Sequence, residues 1–420
     1  MKAVVYTLGC KVNDVESGSI IRGLEEMGYT VSKDIEKADV CVLNTCAVTA
    51  EAERKSRQML GKLLKCNPNA KIIVCGCASE KSGKDFFEKG AYTVLGAKGK
   101  NKVLEVVKRN LPETDKGVFV GEDCGRVYED MPVPKCLKTR NFVKIQDGCD
   151  RFCSYCIIPY LRGRNRGRNL EDAAKEILES DAYETVVTGI DVSAYRDEQG
   201  RDLTDLLLAV KDAPTRIRLG SLEESLITPR FLEAAKSVKN FAPQFHLSLQ
   251  SGSTSVLKSM NRKYGREEYL EKCRMIYEAF PNAAITTDII VGFPTETEED
   301  FLQSLTIVKE AGFAQIHAFP YSPREGTNAY KKYKELSSSV KKERLDRLLK
   351  AGSEQKDKYA SGFLGEELTI VPERCVNGYT EGYSENYIRL YVAGEMSKPP
   401  TRVRAIEQFQ DGLLCEILTK

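Results

Sequence analysis

The sequence predicts a multidomain α/β protein with three parts: a doubly wound parallel sheet, a partial barrel of six strand–helix units, and a small antiparallel β-barrel. Three observations predict this architecture. The chain has 420 residues, which corresponds to about three domains of ordinary size. Short β-branched runs alternate with helical patterns through most of the chain, as in parallel sheets covered by helices. After residue 365 only short strand-like runs remain, separated by Gly and Pro.

The first part, residues 1–115, contains four strand candidates with helical patterns between them. The strands are expected at 3–8, 40–44, 72–75 and 92–95. One helical face ends at Gly28, and residues 50–64 predict a second helix. This order is typical of a doubly wound sheet. Residues 116–138 carry mixed charge with little periodicity and are expected to form a linker.

The alternation restarts in the second part, residues 139–364. Strands are expected at 142–146, 185–188, 217–220, 245–249, 287–291 and 315–319. Six units exceed one half of a doubly wound sheet and fall short of the eight of a complete barrel, so we expect a partial barrel. An amphipathic pattern over 337–359 predicts a closing helix. The small antiparallel barrel is expected over residues 365–420.

Composition and charge narrow the possible functions. Lys and Arg number 63 and Asp and Glu 61, so the net charge of +2 predicts no global attraction to a polyanion. No apolar run approaches the roughly 20 residues that cross a bilayer, and no signal peptide is recognisable, so we expect a cytoplasmic protein without a membrane partner. The 14 cysteines should then be free of disulfides. Because His246 and His317 are the only histidines, a zinc site of three imidazoles is excluded.

Three cysteines are closely spaced in the segment KIQDGCDRFCSYCIIP. Cys149, Cys153 and Cys156 follow the first predicted barrel strand, in the position where barrel active sites are built. Three such thiolates can hold three irons of a cubane cluster and leave the fourth iron open to a ligand. A structural zinc loop would need a fourth ligand nearby. A redox pair, Cys153 with Cys156, would need to begin a helix in a small βαβ domain.

A second group of cysteines follows successive strands of the N-terminal sheet. Cys10, Cys46 and Cys77 come after the first, second and third predicted strands. Ligands collect at the carboxyl ends of parallel strands, so these side chains can converge into a second three-thiolate site. The alternative is that they are buried structural cysteines, which is our expectation for Cys41, Cys66, Cys75 and Cys273.

Segments along the whole chain together resemble the methylthiotransferase family of radical S-adenosylmethionine enzymes. The matching segments are TLGCKVN (7–13), NTCAVT (44–49), GCAS (76–79), QDGCDRFCSYCIIP (146–159), HLSLQSGS (246–253), MNRKY (260–264), DIIVGFPTET (288–297), FPYSPREGT (319–327) and GYSENYIRLYV (382–392). The resemblance implies an N-terminal cluster domain, a radical S-adenosylmethionine barrel and a C-terminal RNA-binding barrel of the TRAM type.

The resemblance also implies cofactors and a reaction. Cys149, Cys153 and Cys156 match the ligands of the radical cluster, and Cys10, Cys46 and Cys77 match those of an auxiliary cluster. Two 4Fe-4S clusters and S-adenosylmethionine, as radical source and methyl donor, are therefore expected. An external electron donor and a sulfur source are also expected.

The residues Lys11-Val12 make the chain most similar to the family branch that adds a methylthio group to C2 of N6-threonylcarbamoyladenosine, next to the tRNA anticodon. The isopentenyladenosine branch usually has Gln-Met there, and the branch that modifies a ribosomal-protein aspartate usually has Pro-Lys. Either of those substrates remains an alternative. A non-catalytic electron carrier or RNA-binding scaffold is the alternative of another class.

Polar and glycine residues follow the predicted barrel strands and are candidates for contact with S-adenosylmethionine. Asp191 and Glu223 are favoured, because a carboxylate can bind an ammonium group or ribose hydroxyls. A turn or helix cap is the alternative role for each candidate. The full set is Gly189, Asp191, Ser221, Glu223, Ser248, Gln250 and Gly292.

Local positive charge indicates where RNA would bind. Residues 138–168 contain eight Lys and Arg against two Asp. The run LRGRNRGR within this stretch offers phosphate contacts at Arg162, Arg164, Arg166 and Arg168. The C-terminal part is less suited, with six Lys and Arg against nine Asp and Glu over 366–420. Two alternative roles, stacking on unpaired bases and packing in the barrel core, are left for Tyr379, Tyr383, Tyr387 and Tyr391.

Overall fold

A computed structural model describes residues 1–121, 125–135, 139–396 and 399–418. The N-terminal domain is a six-stranded parallel sheet in the order β2-β1-β3-β4-β5-β6, with helices on both faces. Its elements are β1 (Lys2–Thr7), α1 (Lys11–Glu26), β2 (Thr30–Ser32), β3 (Val40–Thr45), α2 (Ala50–Cys66), β4 (Lys71–Gly76), α3 (Cys77–Glu88), β5 (Thr93–Leu95), α4 (Lys102–Lys108) and β6 (Gly117–Phe119).

The central strands of this sheet are buried on both sides. In β3, Val42 packs on one face with Ile20 and Val106, while Leu43 packs on the other face with Leu60. Fully apolar strands of this kind are typical of parallel sheets between two helical layers. The chain order reverses direction between β1 and β3, which confirms the predicted doubly wound topology.

Part of the predicted linker belongs to the N-terminal domain. Residues 117–119 form β6 and pair in parallel with β5, so the expectation of a linker from residue 116 was wrong at its start. Its short length hid this strand, because three residues show no alternation. Further on, Tyr128 packs against the second domain and its hydroxyl donates to the Lys144 carbonyl at 2.9 Å. Residues 122–124 and 136–138 of the predicted linker lie outside the described residues.

The second domain is an open barrel built from two parallel sheets, β11-β10-β7 and β12-β13-β14-β15. Strands β11 and β12 are parts of one segment that bends at Gly220, which carries the barrel from one sheet into the other. Its elements are β7 (Arg140–Lys144), β8 (Gln146–Asp147), α5 (Ile158–Arg162), β9 (Arg166–Gly167), α6 (Leu170–Leu178), β10 (Glu184–Thr188), α7 (Leu203–Ala209), β11 (Arg216–Leu219), β12 (Ser221–Leu222), α8 (Pro229–Ser237), β13 (Gln244–Leu247), α9 (Thr254–Ser259), α10 (Arg266–Ala279), β14 (Ala284–Val291), α11 (Glu298–Glu310), β15 (Gln315–Pro320), α12 (Asn328–Lys332) and α13 (Ser338–Ser361).

The six predicted barrel strands are all present, and the partial barrel is confirmed. Its largest apolar cluster lies between strands and outer helices and includes Ile217, Leu219, Phe245 and Leu247. Alternate residues of a strand point to opposite faces, so the residues between these apolar positions face the barrel interior. The interior is consequently polar, which suits a binding cavity better than a packed core.

The C-terminal domain is a closed five-stranded barrel in the order β16-β17-β18-β20-β19. Its strands are β16 (Glu367–Val376), β17 (Tyr379–Tyr383), β18 (Arg389–Ala393), β19 (Thr401–Phe409) and β20 (Gly412–Ile417). Four pairings are antiparallel as expected, and the β18–β20 pairing that closes the barrel is parallel. Sequence alternation cannot reveal this, because it does not encode strand direction.

The C-terminal barrel docks against the amino-terminal ends of the central strands. The Glu184 carboxylate, fully buried, accepts two hydrogen bonds from Arg218, and Arg218 also donates to the Ser384 carbonyl at 3.1 Å. The rings of Tyr383 and Tyr387 stack at this junction with centroids 4.6 Å apart. None of the helices in the described parts of the chain has the length and apolar character that a membrane span needs.

Candidate active site

The first cysteine triad, Cys10, Cys46 and Cys77, lies at one edge of the N-terminal sheet. Cys10 sits between β1 and α1, Cys46 directly follows β3, and Cys77 begins α3 directly after β4. These three strands are parallel neighbours, so their carboxyl ends lie side by side. Cys46 and Cys77 are buried, and Cys10 is exposed. The structure thus brings the three cysteine-bearing loops to one place.

Close backbone contacts hold these loops against each other. Thr45 and Gly76 are register partners, so Cys46 and Cys77 start from adjacent positions. A side chain at Gly76, where φ is +108°, would lie 2.4 Å from the Thr45 carbonyl oxygen. A side chain at Gly9, where φ is +125°, would lie 3.1 Å from Cys46 Cβ. Glycine is needed at both positions, because the backbone is left-handed and the neighbouring loop fills the space of a Cβ atom.

The second triad, Cys149, Cys153 and Cys156, lies on the loop between β8 and α5. The loop is closed by hydrogen bonds from the Cys149 amide to the Gly163 carbonyl at 3.1 Å and from the Cys156 amide to the Cys153 carbonyl at 3.0 Å. A further bond, from the Ser154 amide to the Met260 carbonyl at 2.9 Å, fixes the loop to the end of α9. The three cysteines are therefore held on an ordered loop above the barrel.

The electrostatics of the second triad suit a bound cation. Burial raises the pKa of Cys149 and of Cys156 to about 12, and charge on the neighbouring cysteines adds to the effect in both cases. Arg262 Nη1 donates to Cys153 Sγ at 3.4 Å. Three thiolates so close together repel each other, and iron ions coordinated by the sulfurs would remove that cost.

The two triads approach each other at the junction of the two domains. Cys77 belongs to the same buried apolar cluster as Ile157, the residue that follows Cys156. The charge of Cys77 also contributes to the raised pKa of Cys156, after burial and Cys153. The described residues contain no group of three or more Cys, His, Asp or Glu arranged to hold a single metal ion. A cubane cluster has a different requirement, because each cysteine binds a different iron, and two sets of three thiols fit two such clusters.

A buried ionic cluster joins the two domains beside the first triad. Arg162 donates to Glu16 Oε1 at 2.9 Å, to Asp147 Oδ1 at 3.0 Å and to Asn13 Oδ1 at 2.7 Å. Lys144 donates to the same two carboxylates, at 2.8 Å each. Burial alone would raise the pKa of Glu16, but the charges of Arg162, Lys100 and Lys144 outweigh it and hold the pKa far below its usual range.

This cluster carries an excess of positive charge toward the cysteines. It contains four cations, Lys100, Lys144, Arg162 and Arg166, and two carboxylates, Glu16 and Asp147. Burial raises the pKa of Cys77, but the charges of Arg162 and Lys100 and a hydrogen bond from Arg162 oppose that rise. Arg162 Nε is buried and makes no hydrogen bond within the described residues. An anionic iron-sulfur cluster on the first triad would balance this excess of positive charge.

The expectation that Arg162, Arg166 and Arg168 contact RNA was wrong. Arg162 and Arg166 are each 1% exposed and pair with carboxylates inside the domain junction, and Arg168, 13% exposed, pairs with Glu176. Arg164 is 57% exposed, and its ion pair with Asp150, at 3.4 Å, lies on the surface. Arg164 lies over the Phe152 ring at 5.0 Å and remains accessible to a phosphate. A run of arginines is typical of a protein surface, but docking of the N-terminal domain buries most of the arginines of this run.

Two predicted cofactor contacts, Asp191 and Glu223, lie beside the second triad. Arg151 Nε donates to Asp191 Oδ2 at 2.5 Å, and Arg262 pairs with Glu223. Asp191 Oδ1 is buried and makes no hydrogen bond within the described residues, so it is available to a ligand. Burial raises the pKa of Glu223 despite the charges of Arg262 and Arg151. Both carboxylates are thus positioned to hold an amino group or a ribose.

The other predicted cofactor contacts differ in their positions. Ser221 is exposed at the start of β12, while the Ser248 carbonyl accepts from Tyr264 and Arg262. Gln250 has a φ of +73° and its backbone bridges to β14, as its amide donates to the Asp288 carbonyl at 2.8 Å.

Packing also accounts for the two glycines among these candidates. A side chain at Gly189 would lie 2.8 Å from Gln146 Oε1. At Gly292, where φ is +69°, it would lie 2.4 Å from Lys341 of α13. The structure therefore gives Gly292 a packing role against the closing helix.

Several site residues were missed by sequence reasoning. Arg151 lies two residues after Cys149, and Arg262 lies in MNRKY, so the signal available for each was its place in a segment that resembles the family. Glu16 and Lys100 carried no local signal, because their partners are up to 146 residues away. Of the four cysteines expected to be buried, Cys41, Cys75 and Cys273 are, whereas Cys66 is exposed at the end of α2.

The tyrosines of the C-terminal barrel are engaged in packing. Tyr391 is buried and packs edge-on against Phe409, and Tyr379 lies 4.9 Å from the same ring. Tyr383 and Tyr387 stack at the domain junction under Arg140 and Arg218. Core and junction packing is therefore the role that the structure gives these rings.

Two family models match the chain, and together they span both cysteine triads. Residues 2–96 match a family described as uncharacterized protein family UPF0004, and residues 143–308 match the radical SAM superfamily. Among solved structures, the radical S-adenosylmethionine methyltransferase TsrM from Kitasatospora setae has a TM-score of 0.57 at 12% identity, over 76% of this chain and 72% of that one. The cobalamin-dependent radical enzyme OxsB has a TM-score of 0.52 at 11% identity, over 85% of this chain and 56% of that one. Both likenesses concern the fold.

Curated relatives are similar over nearly the whole chain. Threonylcarbamoyladenosine tRNA methylthiotransferase MtaB of Bacillus subtilis (strain 168) is 36% identical over 93% of this chain and 90% of its own length. The enzyme of the same name from Thermotoga maritima is 34% identical over 99% and 96%. The tRNA-2-methylthio-N(6)-dimethylallyladenosine synthase of Oceanobacillus iheyensis is 36% identical over 90% and 77%. With both domains matched and full-length identity at this level, the chain belongs to the methylthiotransferase family of radical S-adenosylmethionine enzymes.

Proposed function

We propose that this protein adds a methylthio group to C2 of N6-threonylcarbamoyladenosine next to the anticodon of tRNA, using two 4Fe-4S clusters and S-adenosylmethionine. The observation that carries the proposal is the presence of two cysteine triads at one domain junction, where Cys77 packs with Ile157 next to Cys156. The names of relatives such as those from B. subtilis and T. maritima support the substrate. A cytoplasmic location, an external electron donor and a sulfur source belong to the same proposal.

The reaction requires a radical, because a C–H bond on an adenine ring is not acidic enough for a side chain to deprotonate. A 4Fe-4S cluster on Cys149, Cys153 and Cys156 would supply an open iron and an electron for reductive cleavage of S-adenosylmethionine. The residues next to this triad would orient that substrate. The free Asp191 Oδ1 and the Glu223 carboxylate suit its amino group or ribose hydroxyls. Arg151 and Arg262 hold both carboxylates in place.

The first triad would hold the auxiliary cluster that carries the sulfur to be transferred. The protein would position this cluster, because the three loops converge opposite the radical cluster. It would also stabilise the cluster's negative charge, because the neighbouring cations exceed the carboxylates by two. Cys10 is the exposed member of the triad. The target base would therefore approach from the side of Cys10, between the two triads.

The RNA would make phosphate contacts near the radical loop. Arg164, exposed beside Phe152 and paired only with the partly exposed Asp150 among the described residues, is the member of the arginine run that a phosphate can reach. An anticodon loop presents an unstacked base that enters a pocket without melting a helix. The negative charge of the C-terminal barrel gives it no simple electrostatic attraction to RNA.

The test uses purified, reconstituted enzyme with two separate substrates. One tRNA carries threonylcarbamoyladenosine and the other isopentenyladenosine, and nucleosides from both are analysed by mass spectrometry after reaction. We expect the methylthio product on the first. Product on the second alone would replace the proposed substrate by the isopentenyl one. Product on neither, with S-adenosylmethionine still cleaved, would indicate a protein target. A protein that cleaves no S-adenosylmethionine under reducing conditions would instead be an electron carrier or scaffold.

A further inference from the structure

A second polar contact, distinct from the ionic cluster around Arg162, joins the N-terminal domain to the barrel. Arg324 lies between β15 and α12, and its Nη2 donates to Glu53 Oε2 of α2 at 2.6 Å. Both side chains are buried, with 5% and 8% exposed. Arg324 Nε is buried and makes no hydrogen bond within the described residues, so the Glu53 carboxylate is the group that holds the guanidinium. Such a pair resists displacement of the two domains, because either buried charge without the other is costly.

The Glu53 carboxylate is kept ionised by its neighbours. It also accepts from Arg57 Nη1 at 3.1 Å and from Lys81 Nζ at 3.4 Å, both in the N-terminal domain. Burial alone would raise the pKa of Glu53, but the hydrogen bonds from Arg324 and Arg57 and the charge of Lys81 lower it. Both members of the Arg324–Glu53 pair are therefore charged at neutral pH.

On the N-terminal side, the ion pair is close to a cysteine loop of the first triad. Glu53 lies in the first turn of α2, which begins four residues after Cys46. One turn further along, the Ser56 hydroxyl accepts from the Cys46 amide at 3.2 Å. A displacement of α2 would therefore move Cys46.

On the barrel side, the segment that carries Arg324 is fixed to the loop of the second triad. The Ala329 amide, in the first turn of α12, donates to the Ser154 carbonyl at 2.7 Å. Arg324 and α12 are joined by a turn, in which the Thr327 amide and hydroxyl donate to the Arg324 carbonyl at 3.1 Å and 2.6 Å. Residues 324–329 thus connect the ion pair to the loop that carries the second triad.

The two polar contacts between the domains act on different helices. Glu16, in the ionic cluster, belongs to α1, which follows Cys10, whereas Glu53 belongs to α2, which follows Cys46. Domains of one chain can rotate relative to each other unless their interface prevents it. A second contact, separated from the first, restricts rotation of the N-terminal domain about the ionic cluster.

We infer that Arg324 is a positioning residue, whose ion pair with Glu53 holds the first triad in the orientation to the second that methylthio transfer requires. The inference rests on the proposed function and deepens it. Under that proposal the radical forms at the second triad and the sulfur comes from the first, so the base must reach both. Cleavage of S-adenosylmethionine needs the second triad alone. Loss of the ion pair should therefore uncouple cleavage from transfer, because small displacements of reacting groups slow a reaction strongly.

The test measures how much methylthio nucleoside forms per S-adenosylmethionine cleaved. Reconstituted holoenzyme is given tRNA bearing threonylcarbamoyladenosine, and methylthio nucleoside and 5′-deoxyadenosine are quantified in the same reaction. In Arg324→Met and in Glu53→Met the ratio of the two products should fall by about 10- to 100-fold while deoxyadenosine still forms. The double variant should fall no further than the single variants, because all three break the same contact. Arg324→Lys, which keeps the charge, should restore part of the ratio.

Arg344→Met is the matched control for the loss of a buried ion pair. Arg344 Nη1 lies 2.8 Å from Glu296 Oε1, the side chains are 7% and 1% exposed, and Arg344 Nε is also buried without a hydrogen bond within the described residues. Both partners belong to the second domain, so this variant should keep the parent ratio. The iron content of every variant is measured and should stay at about eight per chain.

Three results would overturn the inference and leave the proposed function standing. They are a parent ratio in Arg324→Met, an equal fall of the ratio in Arg344→Met, and a loss of about four irons from Arg324→Met, which would show that the pair retains a cluster rather than orients it. A parent that acts only on isopentenyladenosine would contradict the proposed substrate, and the ratio is then measured on that tRNA. A parent that cleaves S-adenosylmethionine but forms no methylthio product on either tRNA would contradict the proposed function, and the inference with it.

Discussion

The two cysteine triads are assembled by different structural routes. Cys149, Cys153 and Cys156 lie within eight residues on one loop, which closes on itself through its own backbone hydrogen bonds. The other triad is spread over 68 residues and converges only because β1, β3 and β4 are neighbours in the sheet. A compact motif keeps its geometry by itself, whereas a dispersed one depends on the packing of a whole domain.

The surroundings of the two triads differ as well. Next to the contiguous triad, Arg151 and Arg262 are paired with Asp191 and Glu223, so charge is close to balanced. Next to the dispersed triad the buried cations outnumber the carboxylates. The environment of the contiguous triad suits binding of a zwitterionic substrate at an open iron. The environment of the dispersed triad suits an anionic cluster that carries additional sulfur.

Loss of the contiguous triad should have the largest effect. Cys149→Ala, Cys153→Ala or Cys156→Ala should each reduce formation of 5′-deoxyadenosine below detection, because the open-iron site needs all three sulfurs. Deoxyadenosine is quantified by liquid chromatography with dithionite as reductant. Cys66→Ala, at an exposed cysteine outside both triads, is the matched control and should behave as the parent. Undiminished deoxyadenosine formation by any of the three variants would show that this loop does not hold the radical cluster.

Loss of the dispersed triad should separate the two halves of the reaction. A variant with Cys10→Ala, Cys46→Ala and Cys77→Ala should still form deoxyadenosine but no methylthio nucleoside. After anaerobic reconstitution its iron content should fall from about eight to about four per chain. An iron content equal to that of the parent would show that these cysteines bind no cluster, and the distinction between the triads would then fail.

Arg162 should matter for stability far more than its neighbour Arg164. Arg162→Met removes the shared partner of Glu16 and Asp147 inside the junction, and breaking such a buried network costs about 3–5 kcal/mol. Arg164→Met, on the surface, should change the free energy of unfolding by about 0.5 kcal/mol or less. Urea unfolding of both variants measures the difference. Equal effects would mean that the ionic cluster does not hold the domains together.

Arg164 should instead affect binding of tRNA, and this is the smallest expected effect. Arg164→Ala should reduce the slope of log Kd against log salt concentration by about one unit, the effect of one lost phosphate contact. The measurement is a filter-binding titration at several salt concentrations. Lys309→Ala on the outer face of α11 is the control. If the slope stays at the parent value, the arginine run has no part in RNA binding.

The sequence was most informative where structure is local. The contiguous triad could be predicted because its three cysteines lie on one loop. The strand positions in both parallel domains could be predicted from β-branched runs. The dispersed triad could also be found, because parallel strands align their ends regardless of the distance along the chain.

Prediction failed where burial depends on domain docking. Arg162 and Arg166 belong to a charge run that is typical of a surface, and their burial follows from contact with α1, far away in the sequence. Short elements were missed too, such as β6, because two or three residues carry no periodicity.

The central claim, two clusters facing each other at one junction, is tested most directly by electron paramagnetic resonance of the dithionite-reduced protein. Three samples are compared: the parent, the variant lacking Cys149, Cys153 and Cys156, and the variant lacking Cys10, Cys46 and Cys77. We expect about two unpaired spins per chain in the parent and about one in each variant. We also expect the parent signal to be broadened relative to the sum of the two variants, because the neighbouring spins interact. A parent with about one spin per chain, or a spectrum equal to that sum, would contradict the account.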